Sequence, residues 1–350
     1  MLDPNDRFLT CREILRWHYG HRRPEFLGAP RRHYSLHYTY RQGGRLYVAS
    51  KVRKERGRIP FSRQFTIMRA LARTDAASVV RSPVATSRRR ARDWVTGPSN
   101  RWFVRSYTEH DRAPDWLSPS LVADAARKLA LVHRSASIID RAVACAPRYG
   151  LQVYDWGLFG VLDGIDALLD DMASRERAPG HIKSIETELT RLRAGRTELD
   201  LGPEGLTHHD LRTENLLVRD GEVVEIVDWD RAHWDVQWYD ATLAALHLAY
   251  LQPARLRWDL AEAFLDVYRT ESGTSLTEDA TAWLLRFTAV RNFAVSRSPV
   301  KWARLLRGVN ERWGETPSAV VGDFVAKNEV ALDVEIAAED GGAVGAVGVG

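Results

Sequence analysis

Cysteine is nearly absent from this chain. Two in 350 residues, Cys11 and Cys145, cannot build a disulfide framework, and they show no metal-ligand spacing. A reducing cytoplasm is the compartment that such usage favours. Long apolar runs are missing too. The most apolar stretch, ATLAALHLAYL from Ala241, is well short of the ~20 residues that a membrane-spanning helix needs. The opening residues, MLDPNDRFLT, lack the basic-then-apolar order of a signal peptide. The expectation is therefore a soluble, unexported protein with no membrane partner. Lysine is also scarce, supplying only six of the 50 basic residues. Acidic residues are thin in the first 100 positions, where 22 Arg or Lys face 7 Asp or Glu, a balance of +15. The net charge is only +4, so the remaining 250 residues carry −11. Such asymmetry suits a basic region that meets phosphates beside an acidic region that meets a cationic or hydroxylated substrate. A nucleic-acid-binding half would also suit it, although no motif for that is present. What is present is ordinary for a soluble globular protein, with 45% hydrophobic and 27% charged residues, at a length that allows two domains.

The chemistry is concentrated in residues 206–230, LTHHDLRTENLLVRDGEVVEIVDWD. A polar loop, THHDLRTEN, leads into two apolar runs joined by Asp220-Gly221, a dipeptide that favours a two-residue type I′ hairpin turn. If Arg219 and Glu222 close that turn, Asn215 stands opposite Ile226. Asp228 then lies two residues further on, roughly 7 Å away at about 3.3 Å per strand residue. Asp210, five residues before Asn215, is held in the preceding loop. Three oxygen-bearing side chains should therefore converge. That set suits phosphoryl transfer, in which two oxygen ligands hold Mg²⁺ on nucleotide phosphates and a separate carboxylate takes the proton of the attacking hydroxyl. A plain surface hairpin, with Asp and Asn acting only as turn formers, is the alternative for any one of these residues.

The pattern H-x-D-x-x-x-x-N followed by a strand-borne Asp resembles the aminoglycoside phosphotransferase and choline kinase superfamily of kinase-like phosphotransferases. The matching residues are His208-His209-Asp210-Leu211 with Asn215, and then Ile226-Val227-Asp228-Trp229-Asp230. The resemblance implies an α+β, bilobal, protein-kinase-like fold: a small β-rich lobe over residues 1–108, a larger helical lobe over 109–335, and a disordered tail over 336–350. It implies ATP and Mg²⁺ as cofactors, Asp210 as catalytic base, His208 as a brace for its loop, and Asn215 and Asp228 as metal ligands. Asp240, in Trp238-Tyr239-Asp240-Ala241, resembles the family's later Asp, which braces the catalytic loop from a helix start.

Upstream, alternating aromatic and β-branched residues around Gly43-Gly44 predict a hairpin from about His33 to Arg53. The period-2 rule puts Tyr47, Ala49 and Lys51 on one face of its second strand. Val48-Ala49-Ser50-Lys51 resembles the V-A-I-K strand of kinases, which implies Ala49 over the adenine and Lys51 on the phosphates. Two features depart from the pattern. The preceding loop, APRRHYSLH, lacks the glycines that let backbone wrap phosphate, so Arg31, Arg32, His33 and Ser35 are candidate phosphate contacts instead. In the helix from Phe61 to Leu71, Gln64 stands where relatives usually carry the Glu that pairs with the Lys; an amide can hydrogen-bond Lys51 but brings no counter-charge.

Trp102 to Thr108 is a strand candidate, and adenine is expected against backbone near Ser106 to Thr108. From Ser118 the pattern turns helical, with Leu121, Ala125, Leu129 and Val132 on one stripe. Residues 161–174 put Asp163, Asp166 and Asp170 on an outer face, a solvated surface or a lining for a cationic substrate. Helices are expected to run on to about Val334, with Arg291, Asn292 and the segment from Trp302 candidates for the substrate side. The expected activity is transfer of a γ-phosphoryl group to a hydroxyl of a small metabolite or antibiotic. Two alternatives are a Ser or Thr on a biosynthetic peptide, with the basic region docking an acidic segment, and a pseudokinase scaffold for a partner enzyme.

Overall fold

The computed structural model describes residues 4–32, 35–53, 61–87, 93–96, 100–111, 117–141, 157–174, 179–249, 257–295 and 299–312. Helix α1, Pro4–His18, opens the chain and stops before Gly20, whose φ of +72° no β-carbon-bearing residue adopts easily. An antiparallel sheet follows. Strands β1 (Glu25–Phe26), β2 (Arg31–Arg32), β3 (Leu36–Gln42), β4 (Arg45–Arg53), β5 (Trp94–Thr96) and β6 (Asn100–Ser106) pair in the order β1-β3-β4-β6-β5, with β2 also on β3. The β3–β4 hairpin turns at Gly43-Gly44 as the sequence predicts, closed by Gln42 and Arg45, with both glycines at positive φ.

The two faces of this sheet have different neighbours. On one, Tyr38, Tyr40, Ala49, Trp102 and Val104 pack under Cys11, Leu15 and Tyr19 of α1 or its C-terminal end. On the other, Phe103, Trp94 and Val52 pack with Phe65 of helix α2 (Phe61–Leu71) and join the main core of the molecule. Phe65, Met68 and Leu71 are buried, as the helical spacing predicts.

After the connection at Tyr107–Asp111 the chain is mainly helical. Helix α3 (Pro119–Ser135) is capped by the Ser118 hydroxyl, which accepts the Leu121 N–H at 3.2 Å, and its stripe of Leu121, Ala125, Leu129 and Val132 is buried. Then come α4 (Leu158–Asp163), α5 (Ile165–Ser174), α6 (Pro179–Gly195), α7 (Gln237–Ala249), α8 (Trp258–Ser272), α9 (Glu278–Val295) and α10 (Pro299–Arg312). Gly164 divides α4 from α5, and Asp163, Asp166 and Asp170 are exposed. Positions beyond 312, including the expected tail, lie outside the described residues. Arg291 and Asn292 are 2% and 6% exposed, so they belong to the core of the helical region rather than to a substrate surface.

Two small antiparallel pairs sit among these helices: β7 (Glu204–Thr207) with β10 (His233–Val236), and β8 (Leu216–Arg219) with β9 (Glu222–Ile226). Asp220 and Gly221 both have positive φ, as the predicted type I′ turn requires. The Asp124 carboxylate of α3 accepts the Val223 N–H at 2.7 Å and ties the hairpin to the helical core. The hairpin also reaches the N-terminal sheet. Glu225, 1% exposed, accepts both Arg105 bonds, at 3.0 and 3.1 Å, and the Thr108 hydroxyl.

Candidate active site

The hairpin delivers Asn215 one position from where its spacing places it. A bulge between Leu217 and Val218 shifts the register, so Leu216, not Asn215, stands opposite Ile226. Asn215 closes a short 3₁₀ turn (Thr213–Asn215), and its carbonyl accepts the Val227 N–H at 3.0 Å. The next residue, Asp228, has φ 66° and ψ 58°, a left-handed conformation that turns the chain sharply out of β9. Asn215 and Asp228 therefore still share one end of the hairpin.

Asp210 is 2% exposed and lies against Asn215. The Asn215 Nδ2 donates to the Asp210 carbonyl at 2.7 Å and to its Oδ2 at 3.3 Å. Two acceptors on that side fix the amide orientation and leave Asn215 Oδ1 directed elsewhere. The other carboxylate oxygen, Oδ1, receives Arg231 Nη1 at 3.2 Å, with Arg212 Nε at 3.7 Å. Sequence reading missed Arg231, because nothing in WDRAH marks an arginine that folds back across a 3₁₀ turn (Trp229–Arg231).

The loop carrying Asp210 is held from beneath. Asp240, fully buried at the start of α7, accepts the His208 N–H at 2.7 Å and the His209 N–H at 2.8 Å. It also accepts His133 Nε2 at 3.1 Å, and His133 Nδ1 is hydrogen-bonded to the Tyr268 hydroxyl at 2.7 Å. Burial alone would raise the Asp240 pKa; the hydrogen bond and charge of His133 outweigh it and hold the group at about 2. His208 is bonded on both ring nitrogens. Its Nε2 donates to the Val227 carbonyl at 3.0 Å, its Nδ1 accepts the Asp210 N–H at 3.3 Å, and its ring meets Trp229 edge-on at 4.7 Å. Burial keeps His208 neutral by lowering its pKa. His133 and Tyr268 carry no sequence signal, since their contact spans 135 residues.

A Mg²⁺ ion fits this donor set. Asn215 Oδ1 is an amide oxygen outside the Asp210 contact, and Asp228 is an exposed carboxylate with no hydrogen bond or ion pair among the described residues. Both are the hard oxygen ligands that this ion takes, with water completing its shell.

The nucleotide-side expectations divide. Directly paired residues of antiparallel strands point to one face. Leu36, Lys51 and Trp102 are such a set, and Lys51 Nζ lies 5.4 Å from the Trp102 ring centre. Lys51 and Ala49 therefore stand on the face covered by α1, away from Asp210, and Lys51 makes no hydrogen bond with Gln64. This departs from the kinase-strand reading. The period-2 rule grouped Ala49 with Lys51 correctly but could not say which face the helices of the larger region would meet. Arg31, His37 and Ser50 form the register row on the opposite face, the one that carries Arg105 one row away. His37 Nδ1 and Ser50 Oγ are 2.9 Å apart, and Arg31 is exposed. Arg32 lies in β2 and Ser35 just precedes β3; His33 lies outside the described residues. Ser106 ends β6 opposite Tyr47, and the Thr108 carbonyl accepts from His110 Nδ1 at 2.8 Å.

A model of the phosphotransferase enzyme family matches residues 37–274. No curated protein matches by sequence. Several solved structures do match in fold. Spectinomycin phosphotransferase, crystallised with ADP and spectinomycin, has 13% identity and a TM-score of 0.53, over 86% of this chain and 93% of its own. A thermostable mutant aminoglycoside phosphotransferase in ternary complex with ADP and hygromycin B gives 15% and 0.57, over 91% and 98%. Ethanolamine kinase from Plasmodium vivax gives 11% and 0.59, over 88% and 89%. At such identities the likeness is one of fold, the α+β kinase-like arrangement expected above.

Proposed function

The chain belongs to the phosphotransferase enzyme family, and from that membership we propose that it moves the γ-phosphoryl group of ATP, with Mg²⁺, onto a hydroxyl of a small molecule. The observation that carries this reading is the Asp210 cluster, a buried carboxylate fixed by Asn215 on one oxygen and by Arg231 on the other. Asp210 accepts the proton of the acceptor hydroxyl as its oxygen attacks phosphorus. Arg231, 3.2 Å from Oδ1, aims the carboxylate. Asn215 Oδ1 and Asp228 would hold the Mg²⁺, which when bound neutralises charge on the phosphates. Asp240 and His208 set the position of the loop and touch no ligand. Arg31, exposed in the row of His37 and Ser50, takes the phosphate-contacting part that the resemblance gave to Lys51. Two of the similar structures hold spectinomycin and hygromycin B and a third is an ethanolamine kinase, which makes amino-bearing alcohols the acceptor class to try first.

A second reading, a Ser or Thr on a biosynthetic peptide, draws on a groove of about 590 Å³ beside α1. Arg12, Arg16, Arg22 and Arg23 line it with Trp17, which is 60% exposed, and only Glu13 and Glu25 oppose them. Incubation with ATP, Mg²⁺ and a panel of aminoglycosides, amino alcohols and acidic-leader peptides, read by mass spectrometry, separates the two. A gain of one phosphoryl group on a small alcohol supports the first reading. Transfer to peptide alone replaces it with the second, and Mg²⁺-dependent binding of ATP without transfer to any acceptor favours a pseudokinase.

A further inference from the structure

Directly below the catalytic loop, His209, His233 and Asp235 bring one ligand atom each to a single point, all within 4.8 Å of one another and all buried. His209 Nε2 lies 3.2 Å from Asp235 Oδ2, and His233 Nε2 lies 3.5 Å from the same oxygen. Metal–ligand lengths of ~2.0–2.1 Å in tetrahedral geometry set donors about 3.3 Å apart. The two spacings to the carboxylate straddle that value, and the spacing between the two imidazole nitrogens is within 4.8 Å.

His209 Nε2 is hydrogen-bonded to Asp235 Oδ2 at 3.2 Å, whereas the second histidine of the cluster has a ring nitrogen left over. His233 Nδ1 is 2.7 Å from the Arg231 carbonyl, which only accepts, so Nδ1 carries the hydrogen. In a neutral ring Nε2 is then a bare lone pair. It is buried, has no hydrogen-bond partner, and faces a carboxylate oxygen. A carbonyl-bound Nδ1–H with Nε2 left over is the usual arrangement of a metal-ligating histidine.

The backbone also comes close. Gly157 precedes α4, and a Cβ there would fall 2.5 Å from Asp235 Oδ2 and 2.9 Å from His233 Nε2, so only glycine lets the chain approach the converging atoms this closely. The Leu158 N–H donates to Asp235 Oδ2 at 2.8 Å and orients the carboxylate from the same side.

We propose that His209 Nε2, His233 Nε2 and Asp235 Oδ2 bind a divalent transition-metal ion, Zn²⁺ by donor chemistry, in a structural site separate from the Mg²⁺ ligands Asn215 and Asp228. Two imidazoles and one carboxylate suit Zn²⁺ rather than Mg²⁺. The ion would clamp β10, the start of α4 and the residue next to Asp210, so its work is to hold the catalytic loop. This proposal does not depend on the acceptor, on ATP use, or on turnover.

The test uses the full chain stripped with chelator and then equilibrated with Zn²⁺ alone or with Zn²⁺ in excess Mg²⁺. Elemental analysis after gel filtration should find one Zn²⁺ per chain in both cases. Co²⁺ in its place should give the intense visible bands of a four-coordinate site. His233→Ala should weaken Zn²⁺ binding roughly 100-fold or more, while Asp228→Ala should leave it unchanged. Absence of stoichiometric Zn²⁺, displacement by Mg²⁺, or a weak octahedral Co²⁺ spectrum on the unaltered chain would each overturn the proposal, and would assign His233 to an imidazolium paired with Asp235. Those wild-type readings decide the matter even if the His233 variant fails to fold. Equal Zn²⁺ affinity in a folded His233→Ala variant would overturn it as well.

Discussion

Substituting Asp240→Asn should loosen the catalytic loop without removing any atom that meets a ligand. The carboxylate accepts the N–H groups of two consecutive loop residues, at 2.7 and 2.8 Å, and His133 at 3.1 Å. An amide offers one oxygen, and its NH₂ would face a donor. Hydrogen bonds to a charged group are worth ~1.5–3 kcal/mol each, and breaking a buried network from one side costs about 3–5 kcal/mol. At an unfolding entropy of ~2.1 cal/mol/K per residue, a chain of this length loses roughly 4–7 °C of melting midpoint. The pKa of Asp240 is depressed in the fold, so its contribution is complete above the unfolded value near ~3.9 and is lost as pH falls through about 2. The two proteins should therefore differ fully at pH 7.5 and converge in strong acid. Calorimetry gives the first number. Steady-state kinetics with an acceptor found by the mass panel gives the second, expected as a fall of at least about tenfold in kcat with KM for nucleotide changed less than about threefold. A variant that melts within one degree of wild type and keeps its kcat within twofold would refute the idea that Asp240 holds the loop.

Arg231→Ala should lower kcat by about tenfold at unchanged nucleotide affinity, because Asp210 Oδ1 loses the cation at 3.2 Å; Arg231→Lys should recover part of that loss, and full activity of the alanine variant would dismiss the pairing as incidental. Nucleotide titrations should separate the two faces of the N-terminal sheet. Lys51→Ala should leave Kd within about twofold and Arg31→Ala should raise it severalfold; the reverse order would restore the kinase-strand reading. Cys11 is fully buried under the sheet, and burial pushes its thiol up to about 12. Iodoacetamide at pH 8 should leave the Cys11 peptide unmodified in native protein and alkylate it in denaturant, and native labelling would contradict the packing of α1.

Local signals carried much of this fold. Asp220-Gly221 and Gly43-Gly44 specify their turns because few other dipeptides tolerate two positive φ values, and Ser118 with the stripe behind it marks α3. The order Asp210, Asn215, Asp228, Asp240 was readable because each element of the site is short and its spacing is set by one loop and one hairpin. Three features were not readable. The bulge at Leu217/Val218 depends on how β8 packs and has no residue signature. The face that Lys51 occupies is decided by where α1 docks, a contact between segments some 40 residues apart in sequence. Arg231 and the His133–Tyr268 pair join the site across turns and long separations, and contacts of that kind leave no periodicity behind.

In the proposed reaction Asp210 takes a proton from an acceptor hydroxyl. The most direct measurement of that step is single-turnover phosphoryl transfer by Asp210→Asn, side by side with the Kd for ATP. Turnover reduced by a factor of 100 or more, on the scale of a lost general base, with ATP binding within about threefold of wild type, is the predicted result. Transfer at the wild-type rate would contradict it.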